Sequence, residues 1–343
     1  MAYTTINKST DHFSTLLYSG NSSARSLTGV GFAPSFVWIK ERTSTSDHML
    51  FDQPRGVQKY ISSNLNNAEQ TSAAMLTAFD SDGFSLGSGN DVNDNGQTYV
   101  SWNWKANGQG SSNTDGSINT TYTSVNTTAG FSISKWTGSG STGSIGHGLG
   151  VKPNLVIIKN LGTATHWLTW FDSFSNTEMI YLDLTNAKGT SQTYFNSQTP
   201  TSSLIYLNNG VSENQNTMVA YCFAEKTGFS KFGSYTGNGN ADGAFIYTGF
   251  KPALFVVKRY DSSGEYWNVL DNKRNPENPA DDFLYWSENS AEGVKSSKID
   301  FVSNGIKIRG TDGAFNNSSG SYIYMAFAEA PLVGTNNVPA TAR

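Results

Sequence analysis

Apolar residues in this chain gather in short runs of about five, separated by Gly, Ser, Thr and Asn. Three runs are nearly continuous: Ser35-Phe-Val-Trp-Ile-Lys40, Asn154-Leu-Val-Ile-Ile-Lys159 and Ala253-Leu-Phe-Val-Val-Lys258. Each follows a proline (Pro34, Pro153, Pro252) and ends on a lysine. Runs this short read as strands covered on both faces, or as a buried helix turn. The extended bias of a residue preceding proline suits strand entry. Three other runs alternate: Tyr99-Val-Ser-Trp-Asn-Trp104, Met218-Val-Ala-Tyr-Cys-Phe223 and Tyr322-Ile-Tyr-Met-Ala-Phe327. Alternation puts Val100, Trp102 and Trp104 on one face of a strand, then Val219, Tyr221 and Phe223, then Ile323, Met325 and Phe327.

These runs belong to one pattern written three times. An aromatic-turn landmark (Tyr18-Ser-Gly-Asn, Trp136-Thr-Gly-Ser-Gly, Tyr235-Thr-Gly-Asn-Gly) precedes a Gly-apolar step and the proline. An Asp follows the proline by 18, 19 and 19 residues, at Asp52, Asp172 and Asp271. A Gly-apolar pair recurs at Gly83-Phe84, Gly210-Val211 and Gly305-Ile306. From proline to closing aromatic is 70 residues (34 to 104), 70 (153 to 223) and 75 (252 to 327). The expectation is all-β: three tandem β-sandwich-like units of the jelly-roll or lectin-like kind, each of about 90–105 residues. The units are placed at 1–106, with an N-terminal arm, at 128–226 and at 227–331. The polar stretch 107–127 reads as linker and 332–343 as a tail. The best helix candidate is one or two turns within Asn64–Phe79.

Composition sharpens this picture. Aromatics make up 13% of the 343 residues and Gly accounts for 34. A chain this aromatic is not disordered, and its Gly, Ser, Thr and Asn suit a β protein with many turns. A net charge of −4 offers no footprint for nucleic acid. No apolar run is long enough for a membrane span, and the opening MAYTTINKSTDHFST lacks the apolar core of a secretory leader. A single cysteine, Cys222, excludes an intrachain disulfide and a cysteine zinc site, which points to synthesis in a reducing cytoplasm.

Candidate chemistry is sparse. His12, His48, His147 and His166 are dispersed, with no metal-binding spacing between them. Asp91-Val-Asn-Asp-Asn-Gly96 matches the first half of a calcium loop, but its twelfth position is Trp102 instead of a bidentate Glu. No metal or other cofactor is therefore assigned. Cys222 lies mid-strand, where it reads as a small buried hydrophobe. Lys40, Lys159 and Lys258 recur together with Asp52, Asp172 and Asp271, and an ion pair at the sandwich rim would explain both sets. Glu265, Glu277, Asp281, Asp282 and Glu288 form an acidic cluster, a solvated surface or a carboxylate pair for glycoside hydrolysis. Of the eight Trp, Trp267 and Trp286 lie in loop-proximal segments. They are the binding candidates, for a glycan or a protein interface, against the plainer reading of core.

The segments GFAPSFVWIKERT, FDSDGFSLGSGNDVNDNGQTYVSWNWKA, MVAYCFAEKTGFSKFGSYTGNGNADGAFIYTGFKPALFVVKR and YIYMAFAEAPL resemble a repeat of virion proteins of marine bacteriophages, including phages of cyanobacteria. The resemblance spans roughly 10–331 and brings no catalytic residues. It implies a non-enzymatic structural protein of the virion, made in the host cytoplasm and exposed as a tail fibre, tail-tip or head-decoration component. The implied partners are other virion proteins and further copies of the chain, a homotrimer by analogy with phage appendages. The alternatives are a lectin-like adhesin for host-surface polysaccharide and a polysaccharide depolymerase.

Overall fold

The computed structural model describes residues 3–190 and 193–333, and among these the protein is all-β. The first stretch holds β1 (Phe13–Ser19), β2 (Arg25–Thr28), β3 (Phe36–Glu41), β4 (Met49–Asp52), β5 (Lys59–Tyr60), β6 (Gln70–Thr71), β7 (Leu76–Asp80), β8 (Gly83–Leu86) and β9 (Thr98–Trp104). The second holds β10 (Thr120–Asn126), β11 (Phe131–Thr137), β12 (Gly143–Gly146), β13 (Leu155–Asn160), β14 (Leu168–Phe171), β15 (Ile180–Tyr181), β16 (Leu204–Leu207) and β17 (Thr217–Phe223). The third holds β18 (Ser230–Thr236), β19 (Phe245–Tyr247), β20 (Phe250–Arg259), β21 (Asn268–Asp271), β22 (Ala280–Tyr285), β23 (Gly293–Val302), β24 (Gly305–Arg309) and β25 (Ser321–Pro331). Single helical turns, α1 (Asn90–Asn93) and α2 (Gly313–Asn316), precede β9 and β25.

One strand order recurs in the three stretches. It reads β1-β9-β3-β4, then β11-β17-β13-β14, then β18-β25-β20-β21, every pairing antiparallel. The closing aromatic strand thus lies between the first strand and the post-proline strand each time. Smaller pairings also recur: β2-β8-β7, β12-β16 and β19-β24-β23. In the third stretch β22 and β23 join both sets into one eight-stranded sheet.

The continuous apolar runs are explained by burial on both sides. All six residues of β3 and all six of β13 are buried. On β3, Val37 and Ile39 pack with Leu27, Leu76, Phe84 and Leu86 of the opposing sheet. Phe36 and Trp38 point the other way, into a core shared by all three stretches. There the closing aromatics meet. Ring centroids of Trp104 and Phe223 are 6.3 Å apart, Trp104 and Phe327 5.6 Å, and Phe223 and Phe327 5.8 Å.

The structure departs from expectation in three places. Asn64–Phe79 forms no helix: its Gln70–Thr71 and Leu76–Asp80 are strands. Sequence periodicity is uninformative there, and pairing with Lys59–Tyr60 and with β8 decides the outcome. The expected linker 107–127 contributes β10, which pairs with β11, so its alternating Thr, Tyr and Val residues are sheet and not spacer. Register also places Asp172 differently from the other two aspartates. Asp52 faces Phe36 and Asp271 faces Leu254, but the residue facing Leu155 is Phe171. The expected tail lies, from 334 on, outside the described residues.

Candidate functional site

The three stretches interlock through backbone bonds whose acceptors each lie 8 residues past the proline, at Arg42, Leu161 and Tyr260. Glu69 N–H donates to Leu161 O at 3.0 Å, Lys188 N–H to Tyr260 O at 2.8 Å, and Glu292 N–H to Arg42 O at 2.8 Å. These bonds join first to second, second to third, and third back to first, closing a ring. Aromatic side chains repeat the connection. Trp167 Nε1–H donates to Ser62 O and Leu65 O, both at 3.0 Å, and Trp267 Nε1–H donates to Tyr181 O at 3.0 Å. In the first stretch His48 takes that role, its Nε2 lying 2.7 Å from Tyr285 O.

Trp267 and Trp286 therefore do not present a surface to a glycan. Each is 1% exposed. Trp286 stacks on Trp38 at 4.0 Å between centroids, and Trp267 is held in the ring closure just described. Their loop-proximal positions suggested exposure, but the loops that carry them are sandwiched between stretches.

Two of the three recurrent lysines, Lys159 and Lys258, bond across the same seams. Lys40, Lys159 and Lys258 are fully buried. Lys159 Nζ donates to Asn66 O at 2.9 Å and Thr165 O at 2.6 Å, and Lys258 Nζ donates to Thr185 O at 3.2 Å and to Glu265 O. Lys40 Nζ donates to Glu41 O at 2.6 Å. Burial pushes all three ammonium groups down to about 8. The rim ion pair expected between these lysines and the aspartates is not formed. Asp52 instead pairs with Arg55 at 2.5 Å, Asp271 with Arg274 at 2.6 Å, and Asp172 with Lys152 at 2.5 Å. Strand direction explains this: the lysine sits at the far end of the post-proline strand, and the aspartate faces its beginning.

The other sequence candidates have structural roles. His48 Nδ1 accepts from Trp38 Nε1–H at 2.8 Å, His147 Nδ1 accepts from Leu149 N–H at 3.3 Å, and His12 Nδ1 lies 3.3 Å from Asn126 Nδ2. Cys222 is buried in β17, with its thiol pushed up to about 12 by burial. In the Asp91–Gly96 loop Asn93 is fully buried and donates to Ser23 O at 2.7 Å and Gly87 O at 2.8 Å. Asn316 in α2 does the same work, donating to Asn240 O and Gly310 O, both at 2.8 Å. Among the described residues no three His, Cys, Asp or Glu side chains converge to hold a metal ion. The acidic cluster is dispersed: Glu265 pairs with Arg259 at 3.3 Å, and Asp281 accepts from Asn275 Nδ2–H at 3.5 Å.

What sequence reasoning missed is a pocket beside His166. His166 Nδ1 lies 2.7 Å from Asp183 Oδ2, and the other Asp183 oxygen accepts from Trp167 N–H at 3.0 Å. The carboxylate is buried while the imidazole is 43% exposed, so a rigid group orients an accessible ring. Tyr181 stands 5.2 Å from that ring, and its hydroxyl is 3.4 Å from the Tyr194 hydroxyl. Burial, helped by Tyr194, pushes the Tyr181 phenol up to about 12. The cavity measures about 320 Å³ and has an apolar floor that includes Ile158, Leu168, Val211 and Met218. Its size is at the lower end for small-molecule sites, which suits a single ring or a short chain of them. Matching seams hold Asn64 bonded to Asp47, and Ser287 bonded to Trp267 N–H, so the His–Asp pair belongs to the second stretch alone. Seventeen residues separate the two partners, and only the β14–β15 turn brings them together, so no local motif marks them.

Ring closure, shared core and pocket define an all-β protein built as one interlocked body, with no helix among the described residues long and apolar enough to cross a membrane. Over residues 8–331 the chain matches the family described as a domain of unknown function, DUF7483, and it belongs to that family. No curated protein and no solved structure matches it.

Proposed function

We propose that this protein is a non-enzymatic structural component of a virion, exposed on the particle as a tail-fibre, tail-tip or head-decoration protein. The observation that carries this reading is the closed ring of matching bonds around the Trp104, Phe223 and Phe327 rings. Opening any one seam disrupts the shared core, so the three stretches resist local unfolding together. A particle that persists outside a cell needs parts with that property. The ring also supplies within one chain the threefold closure that phage appendages obtain from three chains. Purified particles labelled with gold-conjugated antibody should carry label at the tail or on the head. Particles containing none of the protein would overturn the reading.

A second reading is supported by the His166 pocket: adhesion to a host-surface glycan. A sugar ring offers an apolar face to Tyr181 and hydroxyls to the imidazole. Glycan-array binding that is lost in His166→Ala and Tyr181→Ala but kept in Lys152→Ala would support it. Release of reducing ends from host polysaccharide would favour a depolymerase instead.

A further inference from the structure

The ring creates three matching clefts, each between the outer edge of a first strand and the next stretch. One is filled from within the chain. Strand β10 pairs along the edge of β11, with Thr123 opposite Ser134 and Val125 opposite Ser132. The segment leading to β10 reaches the neighbouring stretch, where Gly108 N–H donates to Ser35 Oγ at 3.2 Å. Residues 107–127 thus supply an internal ligand, β10, that completes a sheet edge.

The corresponding edges of β1 and β18 have no strand beyond them among the described residues. Register makes the equivalence explicit: Phe13 of β1 faces Trp104, Phe131 of β11 faces Phe223, and Ser230 of β18 faces Phe327. The open cleft along β1 measures about 470 Å³ and reaches Ala253, the counterpart of Ser35. The cleft along β18 measures about 230 Å³ and reaches Asn154, the third counterpart. Thr15 lines the larger cleft and is 7% exposed, and its hydroxyl is sealed in with no hydrogen-bond partner among the described residues. Leu17, Val30 and Ala328 supply apolar wall beside it.

We propose that the β1 edge is a docking site for an extended polypeptide strand of a partner chain. The strand adds antiparallel to β1 as β10 adds to β11. Backbone hydrogen bonds supply its affinity, and the cleft walls select alternate side chains. The occupant is uncharged and rich in Ser and Thr, because the resident strand of the matching cleft reads Thr-Thr-Tyr-Thr-Ser-Val-Asn. This inference is independent of the virion reading and stands or falls by itself.

The test uses the full chain and a synthetic peptide with the sequence of residues 117–128. Hydrogen exchange of individual amides is followed with and without peptide, up to a concentration on the order of 1 mM. At ten times its Kd the peptide should slow exchange of the β1 amides about tenfold. The amides of β11, already covered by β10, should not change. Leu17→Lys, which places a charge on the edge, should abolish the slowing. No slowing along β1 in the unmodified chain would overturn the proposal. So would equal slowing by a peptide carrying proline at alternate positions, or slowing by a polysaccharide and not by the peptide.

Discussion

Tyr221 of the second stretch donates its phenolic hydroxyl to Asp52 of the first at 2.7 Å, inside a core that excludes water from both. Asp52 is also bound by the Arg55 guanidinium. The same device joins first to third, where Trp102 Nε1–H donates to Asp271 at 3.1 Å and Arg274 completes the pair. The positions that match by register in the remaining seam are Phe171, Phe174 and Met325. Polar trios thus occupy two seams and apolar side chains the third.

Breaking one of the polar trios should be severe and replacing it whole should not. Asp271→Ala removes the carboxylate shared by Arg274 and Trp102, leaving the buried guanidinium only the Glu292 carboxylate at 2.9 Å, and should destabilise the fold by up to roughly 3–5 kcal/mol. The triple replacement Asp52→Phe, Arg55→Phe and Tyr221→Met copies the apolar seam and should cost far less than Asp52→Ala alone. Urea unfolding of the three variants checks this; a triple variant weaker than Asp52→Ala would refute it.

Stability should rise with pH across the mildly alkaline range. Lys40, Lys159 and Lys258 are held near 8 by burial, only partly offset by Glu41, Asp47 and Glu292, by Asp183, and by Glu265 respectively. Below that value the lysines are charged in both states, and the folded protein carries buried charge. Above it the folded state sheds protons that the unfolded chain retains up to the ordinary lysine range, so stability increases. Above pH ~10 the trend reverses. Tyr285, Tyr322 and Tyr324 are pushed up to about 12 by burial, and the unfolded chain then loses its protons first. Melting temperature between pH 7 and 11 should pass through a maximum near pH ~9–10, and it should rise less steeply in Lys159→Met.

Trp267→Phe should cost about 1 kcal/mol by leaving Tyr181 O without its indole donor. Trp267→Ala should cost roughly 3–5 kcal/mol by emptying the seam. Calorimetry measures both. Equal melting temperatures for Trp267→Ala and the unmodified chain would contradict the buried placement.

Cys222 should resist thiol reagents in the folded protein, because burial both raises its pKa and blocks access. Labelling should appear only as denaturant unfolds the core. Rapid labelling under native conditions would contradict the β17 placement.

Much of the architecture is local and therefore legible. The post-proline runs had to be covered on both faces because four or five consecutive apolar residues leave no face for water, and β3, β13 and β20 are so covered. Alternation along β9, β17 and β25 likewise announced strands whose last aromatics face inward. By contrast, counting residues from the proline aligns Asp172 with Asp52, although one residue of register separates them. Pairing geometry sets register, and a count of residues along the chain does not reveal it.

The chain by itself determined the β class, the recurring strands and the scarcity of charge, since each follows from residue type and near neighbours. Only the tertiary structure decided that the loop tryptophans are buried, that Lys159 and Lys258 bond across seams between stretches, and that His166 meets Asp183. Those outcomes depend on which distant segments share a cleft once the ring has closed. Closure is set by the fit of whole sheets against one another, which no window of sequence contains.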